Sequence, residues 1–375
     1  MTALVPPEYR SVAEYQFSEE QADAIVRITT YHDHDYCRAV IWFPPREHVD
    51  IRLSIATPFP RTSDSGLGSL DRLPPELLYD IILRLDMHSL FKFRQANLCS
   101  RQMTDFLHEY RAVISHGLNL FCALLRTQLA IGVSLSDFYG ALCTNACAFC
   151  GGFGGFISLL TWNRCCFKCL QEAPETQVRT LALVRKHLHL TKSGINQLRS
   201  FKTLPGRYTL EESVYKSRIK VVSLHQAIMV SGQQPDAAAQ AKLANSGRNG
   251  KFNLMGSCAL PHYDRRTGRV EPGMWCAGCQ LALETETDRS SKFDLVLDAR
   301  DKVYAHDEFL RHFRLCEQAQ LLWRSSDEGN NRPPELPEFA RIRGYFRNTR
   351  PRVEIESCGC VCRFCKLDCC RCNVR

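Results

Sequence analysis

The chain has 375 residues, of which 45% are hydrophobic and 23% are charged. Both fractions are ordinary for globular proteins and exclude a mostly disordered or collagen-like chain. Because a single hydrophobic core rarely serves more than ~300 residues, we expect two or three modules. Residues 153–162 form the longest apolar stretch, about half of what a membrane span needs, and the first residues show no secretory signal. We therefore expect an intracellular protein, cytoplasmic or nuclear, without membrane contacts.

The net charge of +8 is concentrated towards the C-terminal end. From Arg332 to Arg375, ten Lys and Arg residues stand against five Asp and Glu residues. Prolines in the same stretch disfavour regular structure. We therefore predict that residues 326–375 form a basic, cysteine-rich and disordered tail, and we do not expect nucleic acid to be the main partner.

Residues 1–68 carry two stretches of alternating polarity, residues 25–28 and 38–43, which we predict as short strands. Residues 58–68 follow with the Pro, Ser and Gly composition of a linker. The run of His and Asp between Tyr31 and Tyr36 contains residue types that bind metals. Because it is a single short segment, we predict a polar turn there rather than a metal site.

Residues 70–116 follow a helical pattern. Two adjacent prolines fit the first turn of a helix. Its apolar stripe consists of Leu77, Leu78, Ile81, Ile82 and Leu85. Asp86 can cap a second short helix, and Ser100 can cap a third over residues 101–110. Three short helices enclose little core of their own, so a domain of this size gains stability by binding a partner.

This segment resembles an F-box. The family pattern is Leu-Pro-x-Glu-Leu, then spaced Ile and Leu, then Asp-x-x-x-Leu, and residues 73–90 follow it. The resemblance implies docking onto the Skp-type adaptor of a cullin–RING ubiquitin ligase. The partner-binding residues that it implies are Leu73, Pro74, Glu76, Leu77, Ile81, Leu85 and Leu90. Residues 97–102 depart from the family because they lack the usual Cys-x-x-Trp signature, which leaves an ordinary three-helix element of a larger α domain as the alternative.

Twenty cysteines are the most unusual feature of the composition. In a reducing compartment, clustered cysteines indicate metal binding before disulfides. Cys37, Cys99 and Cys122 are isolated, and we predict that they are small buried residues. The other seventeen fall into three groups, at residues 143–169, 258–316 and 358–372.

The first group contains two Cys-x-x-Cys pairs that fit a four-thiolate zinc site: Cys147, Cys150, Cys166 and Cys169. The two-residue spacing allows a tight turn to direct both sulfurs and its backbone N–H groups at one ion. The glycine-rich residues 151–156 allow the chain to turn back after the first pair. Cys143 and Cys165 lie close by in sequence, so the register of the ligands stays open.

The second group predicts a zinc site with three Cys and one His ligand. Half of it is a knuckle after a hairpin whose turn is predicted at residues 264–268, and half lies on a helix predicted over residues 307–323. On that helix, His312 and Cys316 are four residues apart and share a face. The predicted ligands are Cys276, Cys279, His312 and Cys316, with His306 and Cys258 as alternatives.

The third group places seven cysteines between Cys358 and Cys372. Cysteines at this density fix no single tetrahedral set of ligands. Binding of soft metals such as Zn²⁺ or Cu(I), acylation and a disordered extension all remain open.

The F-box pattern, the two knuckles and residues 204–208 and 309–323 together are similar to F-box proteins that are abundant in filamentous fungi. The similarity spans residues 70–325. It implies a scaffold behind the F-box that is held by structural zinc and has no catalytic residues.

We therefore expect a mainly α protein with small β hairpins, of the α+β class. Its predicted parts are an N-terminal segment and linker (1–68), a three-helix F-box (70–116), an irregular zinc-stapled body (117–325) with knuckles at 143–169 and 276–316, and the tail (326–375).

The expected function is that of a non-catalytic substrate-receptor subunit of an SCF-type ubiquitin ligase. The F-box would bind the Skp-type adaptor, and the body would bind a protein substrate that the sequence does not identify. The alternative is a zinc-dependent nucleic-acid-binding regulator that uses the basic residues 341–352. An F-box scaffold that acts independently of ubiquitin is a third reading.

Overall fold

A computed structural model provides the fold, and it describes residues 5–44, 54–55, 66–208, 214–232, 234–244, 250–286 and 291–344. Short helices predominate in these ranges, and the strands form small antiparallel sheets. This confirms the predicted mainly α class with small β elements. Within the described ranges, every helix is too short or too polar to cross a membrane.

The helices are numbered in chain order. They are α1 (Ala22–Thr29), α2 (His34–Arg38), α3 (Pro75–Arg84), α4 (Met87–Ala96), α5 (Leu98–Phe106), α6 (His108–Thr127), α7 (Leu135–Leu142), α8 (Phe167–Glu172), α9 (Leu181–Leu188), α10 (Lys192–Gln197), α11 (Leu224–Ser231), α12 (Ala237–Leu243), α13 (Gly250–Met255), α14 (Ala277–Thr285), α15 (Ser291–Asp301), α16 (His306–Phe313), α17 (Glu317–Ser325) and α18 (Glu338–Ile342).

The strands have two to four residues each. They are β1 (Thr30–Tyr31), β2 (Phe156–Ser158), β3 (Arg164–Cys165), β4 (Val178–Thr180), β5 (Ser200–Lys202), β6 (Lys220–Ser223), β7 (Ser257–Ala259), β8 (His262–Tyr263), β9 (Val270–Glu271) and β10 (Trp275–Cys276).

The predicted three-helix segment forms α3, α4 and α5. Asp86 caps α4 as predicted, because its carboxylate accepts hydrogen bonds from the N–H groups of His88 and Ser89 at 3.0 Å. The predicted start of the third helix is wrong. Asn97 caps α5 by accepting from the Ser100 N–H at 2.8 Å, and the Ser100 hydroxyl in turn accepts from the Asn97 N–H at 3.1 Å. This reciprocal capping box starts the helix three residues earlier than a Ser100 cap would.

The three helices share their core with the following body. Ile82, Met87 and Leu90 belong to the largest hydrophobic cluster, which also contains the buried face of α6. The Leu135 N–H donates to the Leu85 carbonyl at 3.1 Å and so joins the end of α3 to the start of α7. Helix α6 runs without a break across the boundary that we predicted between residues 116 and 117. The segment is therefore continuous with the body.

A buried ion pair fastens α4 to α5. Both nitrogens Nε and Nη2 of Arg94 donate to the carboxylate of Asp105, at 2.7 and 3.2 Å. The Arg94 side chain is 1% exposed, and its guanidinium lies 5.7 Å from the ring centre of Tyr110 on α6. Burial of this kind fixes the relative position of the three helices, since breaking the pair would leave a buried charge alone.

The sheets connect segments that are distant in sequence. Strand β2 lies between β3 and β7, with Ile157 opposite Arg164 on one side and Cys258 on the other. Strand β6 lies between β4 and β5, and this sheet carries a separate small core with α9 and α11. The β8–β9 hairpin turns at residues 264–268, as predicted.

The N-terminal residues fold differently from the prediction. Residues 25–28 lie inside α1, and residues 39–44 contain no strand. Helix α1 is favoured because it packs against α16 and α17, with Ile25 fully buried between them. The following β1 pairs with β10, so that Thr30 lies opposite Cys276.

Part of the predicted tail is also folded. Helix α18 buries Phe339 and Ala340, and the Phe339 ring contacts that of Tyr31 edge to face at 5.8 Å. The prediction of disorder therefore fails for residues 326–344. Residues 345–375, with the group from Cys358 to Cys372, lie outside the described residues.

Candidate metal centres

Two groups of Cys and His side chains converge in the fold. In each group, four ligand atoms lie within 4.8 Å of one another. The first metal centre consists of Cys147, Cys150, Cys166 and Cys169, and the second of Cys276, Cys279, His312 and Cys316. These are the eight residues that the sequence spacing predicted.

The first metal centre combines a tight loop with a helix start. The Gly151 N–H donates to the Cys147 carbonyl at 2.9 Å, and Gly151 has φ +74°, a conformation that favours glycine. Cys166 is the N-cap of α8, and its sulfur accepts from the Cys169 N–H at 3.3 Å. The sulfurs of Cys150 and Cys166 are 3.7 Å apart. Each Cys-x-x-Cys pair is thus held by its own turn, and the two turns face each other.

Arg164 connects the loop of the first metal centre to neighbouring segments by hydrogen bonds. Its buried guanidinium donates to the carbonyls of Gly154, Ala141 and Leu260, which belong to three different segments. Its carbonyl accepts from the Ala148 N–H at 2.8 Å, inside the first knuckle. This residue fixes the knuckle relative to α7 and β7, and no spacing rule in the sequence singled it out.

The neighbouring cysteines lie outside the group of four converging sulfurs. Cys165 lies on β3, where its buried thiol is 3.8 Å from the Phe156 carbonyl. The chain leaves β3 after Cys165, and it is the following residue, Cys166, whose sulfur belongs to the group of four. Cys143, at the end of α7, is also outside the group of four.

The second metal centre is built from three helix ends. Cys276 is the N-cap of α14, and its sulfur accepts from the Cys279 N–H at 3.4 Å. The Cys279 sulfur is 3.4 Å from Nε2 of His312, and the sulfurs of Cys276 and Cys316 are 3.9 Å apart. All four side chains are buried.

The predicted continuous helix over residues 307–323 is wrong. Helix α16 ends at Phe313, and Cys316 is the N-cap of α17. The Cys316 N–H still donates to the His312 carbonyl at 3.0 Å, which keeps the two ligands one turn apart. The break allows α17 to leave in a new direction and pack against α14.

Tyr304 orients the histidine of the second metal centre. Its hydroxyl lies 3.1 Å from Nδ1 of His312, and the two rings stack at 4.7 Å. With Nδ1 held in this way, Nε2 faces the three sulfurs. Such outer partners normally fix the orientation of a metal-binding imidazole. No sequence pattern identifies Tyr304, because nothing in its spacing relates it to the ligands.

The alternative ligands of the second group are engaged elsewhere. Nε2 of His306 lies 3.2 Å from a carboxylate oxygen of Asp23, and its Nδ1 lies 3.1 Å from Asp307. Cys258 is on β7, where its thiol donates to the Ile41 carbonyl at 3.5 Å. The four residues that we predicted as ligands of the second metal centre therefore converge without either alternative.

Hydrogen bonds between the thiols separate their pKa values. The bond from Cys166 lowers the pKa of Cys147 to about 4. In the second metal centre, bonds from Cys276 and Cys279 hold the pKa of Cys316 well below its usual value, whereas burial raises that of Cys276. A metal ion would displace the protons that remain on the other thiols, so its affinity rises with pH.

The run of His and Asp at residues 32–35 is not the polar turn that we predicted, since His34 and Asp35 begin α2 and both aspartates are buried. Asp33 is fully buried and caps α2 by accepting from the Asp35 N–H at 2.8 Å. Burial raises the pKa of Asp33 to about 7 and lowers that of His34 to about 3. These side chains are not part of either group of converging ligands.

The residues that we assigned to partner binding differ in exposure. Pro74 and Glu76 are exposed, and the side chains of Leu77 and Ile81 on α3 are 52% and 45% exposed. Leu73 and Leu85 are half-buried, and Leu90 is fully buried in the core. Among these residues, Leu77 and Ile81 therefore form an exposed apolar surface on the outer side of α3. Leu90 is part of the core and cannot contact a partner directly.

Comparison of the chain with protein-family models, with curated proteins and with solved structures finds no match.

Proposed function

We propose that both metal centres hold zinc in a structural role. Four sulfur ligands, or three with one imidazole, are typical of Zn²⁺ in a closed tetrahedral site. Each group supplies four protein ligands. In each group, one Cys-x-x-Cys pair lies at the start of a helix, where the first sulfur accepts a hydrogen bond from the N–H of the second cysteine. Such a site binds its ion without a free position for substrate, which suits a scaffold.

The zinc assignment predicts two zinc ions per folded chain. The test uses the full chain with the seven cysteines between Cys358 and Cys372 changed to serine, so that the tail does not contribute metal. We expect two equivalents by elemental analysis, and one after the additional change Cys150→Ser. The change Cys122→Ser, a buried cysteine outside both groups, is the control and should leave two. A folded sample without zinc would refute the assignment.

We further propose that the chain is the substrate receptor of an SCF-type ubiquitin ligase. The observation that carries this proposal is the outer side of α3. There the Leu-Pro-Pro-Glu-Leu pattern begins a helix on which Leu77 and Ile81, four residues apart, share an exposed face. Large exposed apolar side chains that adjoin one another are typical of protein interaction sites.

In this proposal the chain acts by positioning. The three helices α3, α4 and α5 bind the Skp-type adaptor, and the body with its two metal centres holds a target protein. Attachment to the ligase raises the effective concentration of that target near the ubiquitin-carrying enzyme. The chemical step then needs no residue of this chain.

The adaptor interaction is tested with the double change Leu77→Ala and Ile81→Ala. Because both side chains are exposed, we expect the fold and the zinc content to be unchanged while binding to the Skp-type adaptor falls at least about tenfold. Binding is measured with purified proteins by calorimetry. The control is Tyr79→Ala, another exposed residue of α3 that is 39% exposed and points away from the pair. Undiminished binding by the double variant would exclude this role for α3.

A further inference from the structure

The two metal centres have similar ligand spacing but differ in exposure. In the second metal centre the exposed fractions of Cys276, Cys279, His312 and Cys316 are 0%, 3%, 0% and 1%. In the first metal centre only Cys147 is buried, and the other three cysteines are partly exposed. The reactivity of a thiolate with solutes follows its exposure, so the two centres are not chemically equivalent.

The second metal centre is covered by the N-terminal strap, which we define as residues 5–21. The Ser11 N–H donates to the Leu315 carbonyl and the Tyr15 N–H to the Arg314 carbonyl, both at 2.9 Å. These bonds lay the strap along the short link between α16 and α17. That link carries Cys316, so the strap lies directly over a ligand.

Side chains of the strap complete the cover. Val5 and Tyr9 line a narrow apolar space together with Cys279 and Cys316. Further along, the ring of Tyr15 packs edge to face on Phe313 at 5.4 Å. On this side, the strap therefore lies between solvent and the sulfurs of the second metal centre.

Among the described residues, no comparable segment covers the first metal centre. The loop after Cys150 contains Gly151 and Gly152, and both line an open cleft of about 530 Å³. A Cβ atom at Gly152 would lie 3.7 Å from the Cys150 sulfur. Because glycine has no such atom, residue 152 leaves this side of the sulfur uncovered. Cys166, on the other Cys-x-x-Cys pair, is also partly exposed, and its sulfur lies 3.7 Å from the sulfur of Cys150.

We propose that the first metal centre is a site of oxidation by hydroperoxides, at which Cys150 and Cys166 join in a disulfide and release the metal, while the N-terminal strap protects the second. The proposal rests on the zinc assignment for the released ion. It does not depend on the ligase role.

The reaction with hydrogen peroxide balances in two steps. One thiolate attacks a peroxide oxygen, the O–O bond breaks, and the leaving hydroxide takes up a proton to form water. The other thiolate attacks the resulting sulfenic acid, so that the S–S bond forms, the S–O bond breaks and a second hydroxide is protonated. Two thiolates, one peroxide and two protons give one disulfide and two waters. Only Cys147 and Cys169 then remain as ligands, and the metal leaves.

The test uses the full, zinc-loaded chain with serine in place of the seven tail cysteines. Hydrogen peroxide is added, zinc release is followed with a chromophoric chelator, and the thiols are mapped by alkylation and mass spectrometry. We expect one zinc to leave at least about tenfold faster than the other, together with a disulfide between Cys150 and Cys166. Equal rates for the two ions, a first disulfide between Cys276 and Cys316, or no oxidised thiol would each overturn the proposal.

Changes in the strap and in the glycine loop test the cause of the difference. The variant with Tyr9→Ala and Tyr15→Ala should release zinc from the second metal centre about tenfold faster without changing the first. Val12→Ala is the matched control, because Val12 lies in the same strap with its side chain fully exposed. Gly152→Ala should slow oxidation of the first metal centre. Unaltered rates in both test variants would show that cover does not set reactivity.

The thiol map keeps the two proposals separate. Zinc content is measured before peroxide is added, so a failure of the zinc assignment appears as a lack of metal. The order in which the thiols oxidise is recorded from the alkylation pattern whether or not zinc is bound. Selective oxidation at Cys150 and Cys166 supports the proposed disulfide in either case, and oxidation without selectivity contradicts it.

Discussion

At the scale of single residues, the second metal centre depends on a side chain that is not one of its four predicted ligands. The Tyr304 hydroxyl is the only hydrogen-bonding partner described for Nδ1 of His312, and the phenol is fully buried. A buried imidazole without this partner could rotate or change tautomer. The orientation of Nε2 of His312 towards the three sulfurs therefore depends on the hydrogen bond between Tyr304 and Nδ1.

We predict that Tyr304→Phe lowers the zinc affinity of the second metal centre by about 10–100-fold, because the loss of an outer hydrogen bond to a metal-binding histidine has effects of this size. Affinity is measured by competition with a chelator of known strength. Tyr208→Phe is the control: Tyr208 is equally buried, but its hydroxyl donates to the Leu204 carbonyl at 2.8 Å, outside both metal centres. Equal affinity in Tyr304→Phe and the native chain would contradict the assigned role.

At the scale of elements, the second metal centre requires α14 and α17 to approach closely. Gly278 lies between the two cysteines of the knuckle, and a Cβ atom there would overlap the backbone of Ala319 on α17. A glycine is therefore needed at this position for the two helices to pack. The Cys-x-x-Cys pattern by itself places no restriction on the residue there. The contact also sets how near Cys279 comes to Cys316.

We predict that Gly278→Ala destabilises the protein by about 1–3 kcal/mol, since the two helix backbones must separate to admit the methyl group. Zinc binding at the second metal centre should weaken with it. Gly140→Ala in α7 is the matched control. Nothing lies within 4 Å of a Cβ atom at Gly140, so that helix should gain up to about 1 kcal/mol. Stability is measured by denaturant unfolding of the zinc-loaded chains, and similar values for both variants would contradict the close approach.

At the scale of the whole molecule, one core connects the exposed helix face to the first metal centre. The largest hydrophobic cluster contains Ile82 and Met87 of the three-helix segment, Leu135 of α7, and both Cys147 and Cys165 at the first metal centre. Helix α6 spans this region without interruption. We therefore expect a change at the first metal centre to alter the packing of the helices α3, α4 and α5.

We predict that removal of metal by a strong chelator at neutral pH lowers the melting temperature and reduces amide protection in α3, α4 and α5 as well as in the knuckles. Ligation at a structural zinc site contributes on the order of 10 kcal/mol to the free energy of folding. This is as large as the total stability of a typical domain, so we expect the shared core to unfold when the metal is removed. Hydrogen exchange measures the protection, and the same chelator saturated with zinc is the control. Full protection of α3–α5 after metal loss would show that the segment folds independently.

Several features of this protein follow from the sequence because they are local. The ligand pairs at Cys147 and Cys276 are predicted by a two-residue spacing, and a single turn of chain brings both sulfurs of each pair together. The Asp86 cap and the hairpin turn at residues 264–268 are local in the same sense. The F-box resemblance lies in residues 73–90, and the adaptor that it implies stays a prediction.

Other features were decided by tertiary structure, since they depend on contacts between distant residues. Residues 25–28 alternate in polarity like a strand, yet they are helical because Ile25 is buried against α16 and α17. Arg164 and Tyr304 hold the two metal centres through segments that no sequence pattern relates to them. The N-terminal strap covers one centre and leaves the other open, because its backbone bonds to residues some 300 positions later in the chain. Spacing determined which residues form the two groups of ligands, and only packing decided which of the two groups is covered.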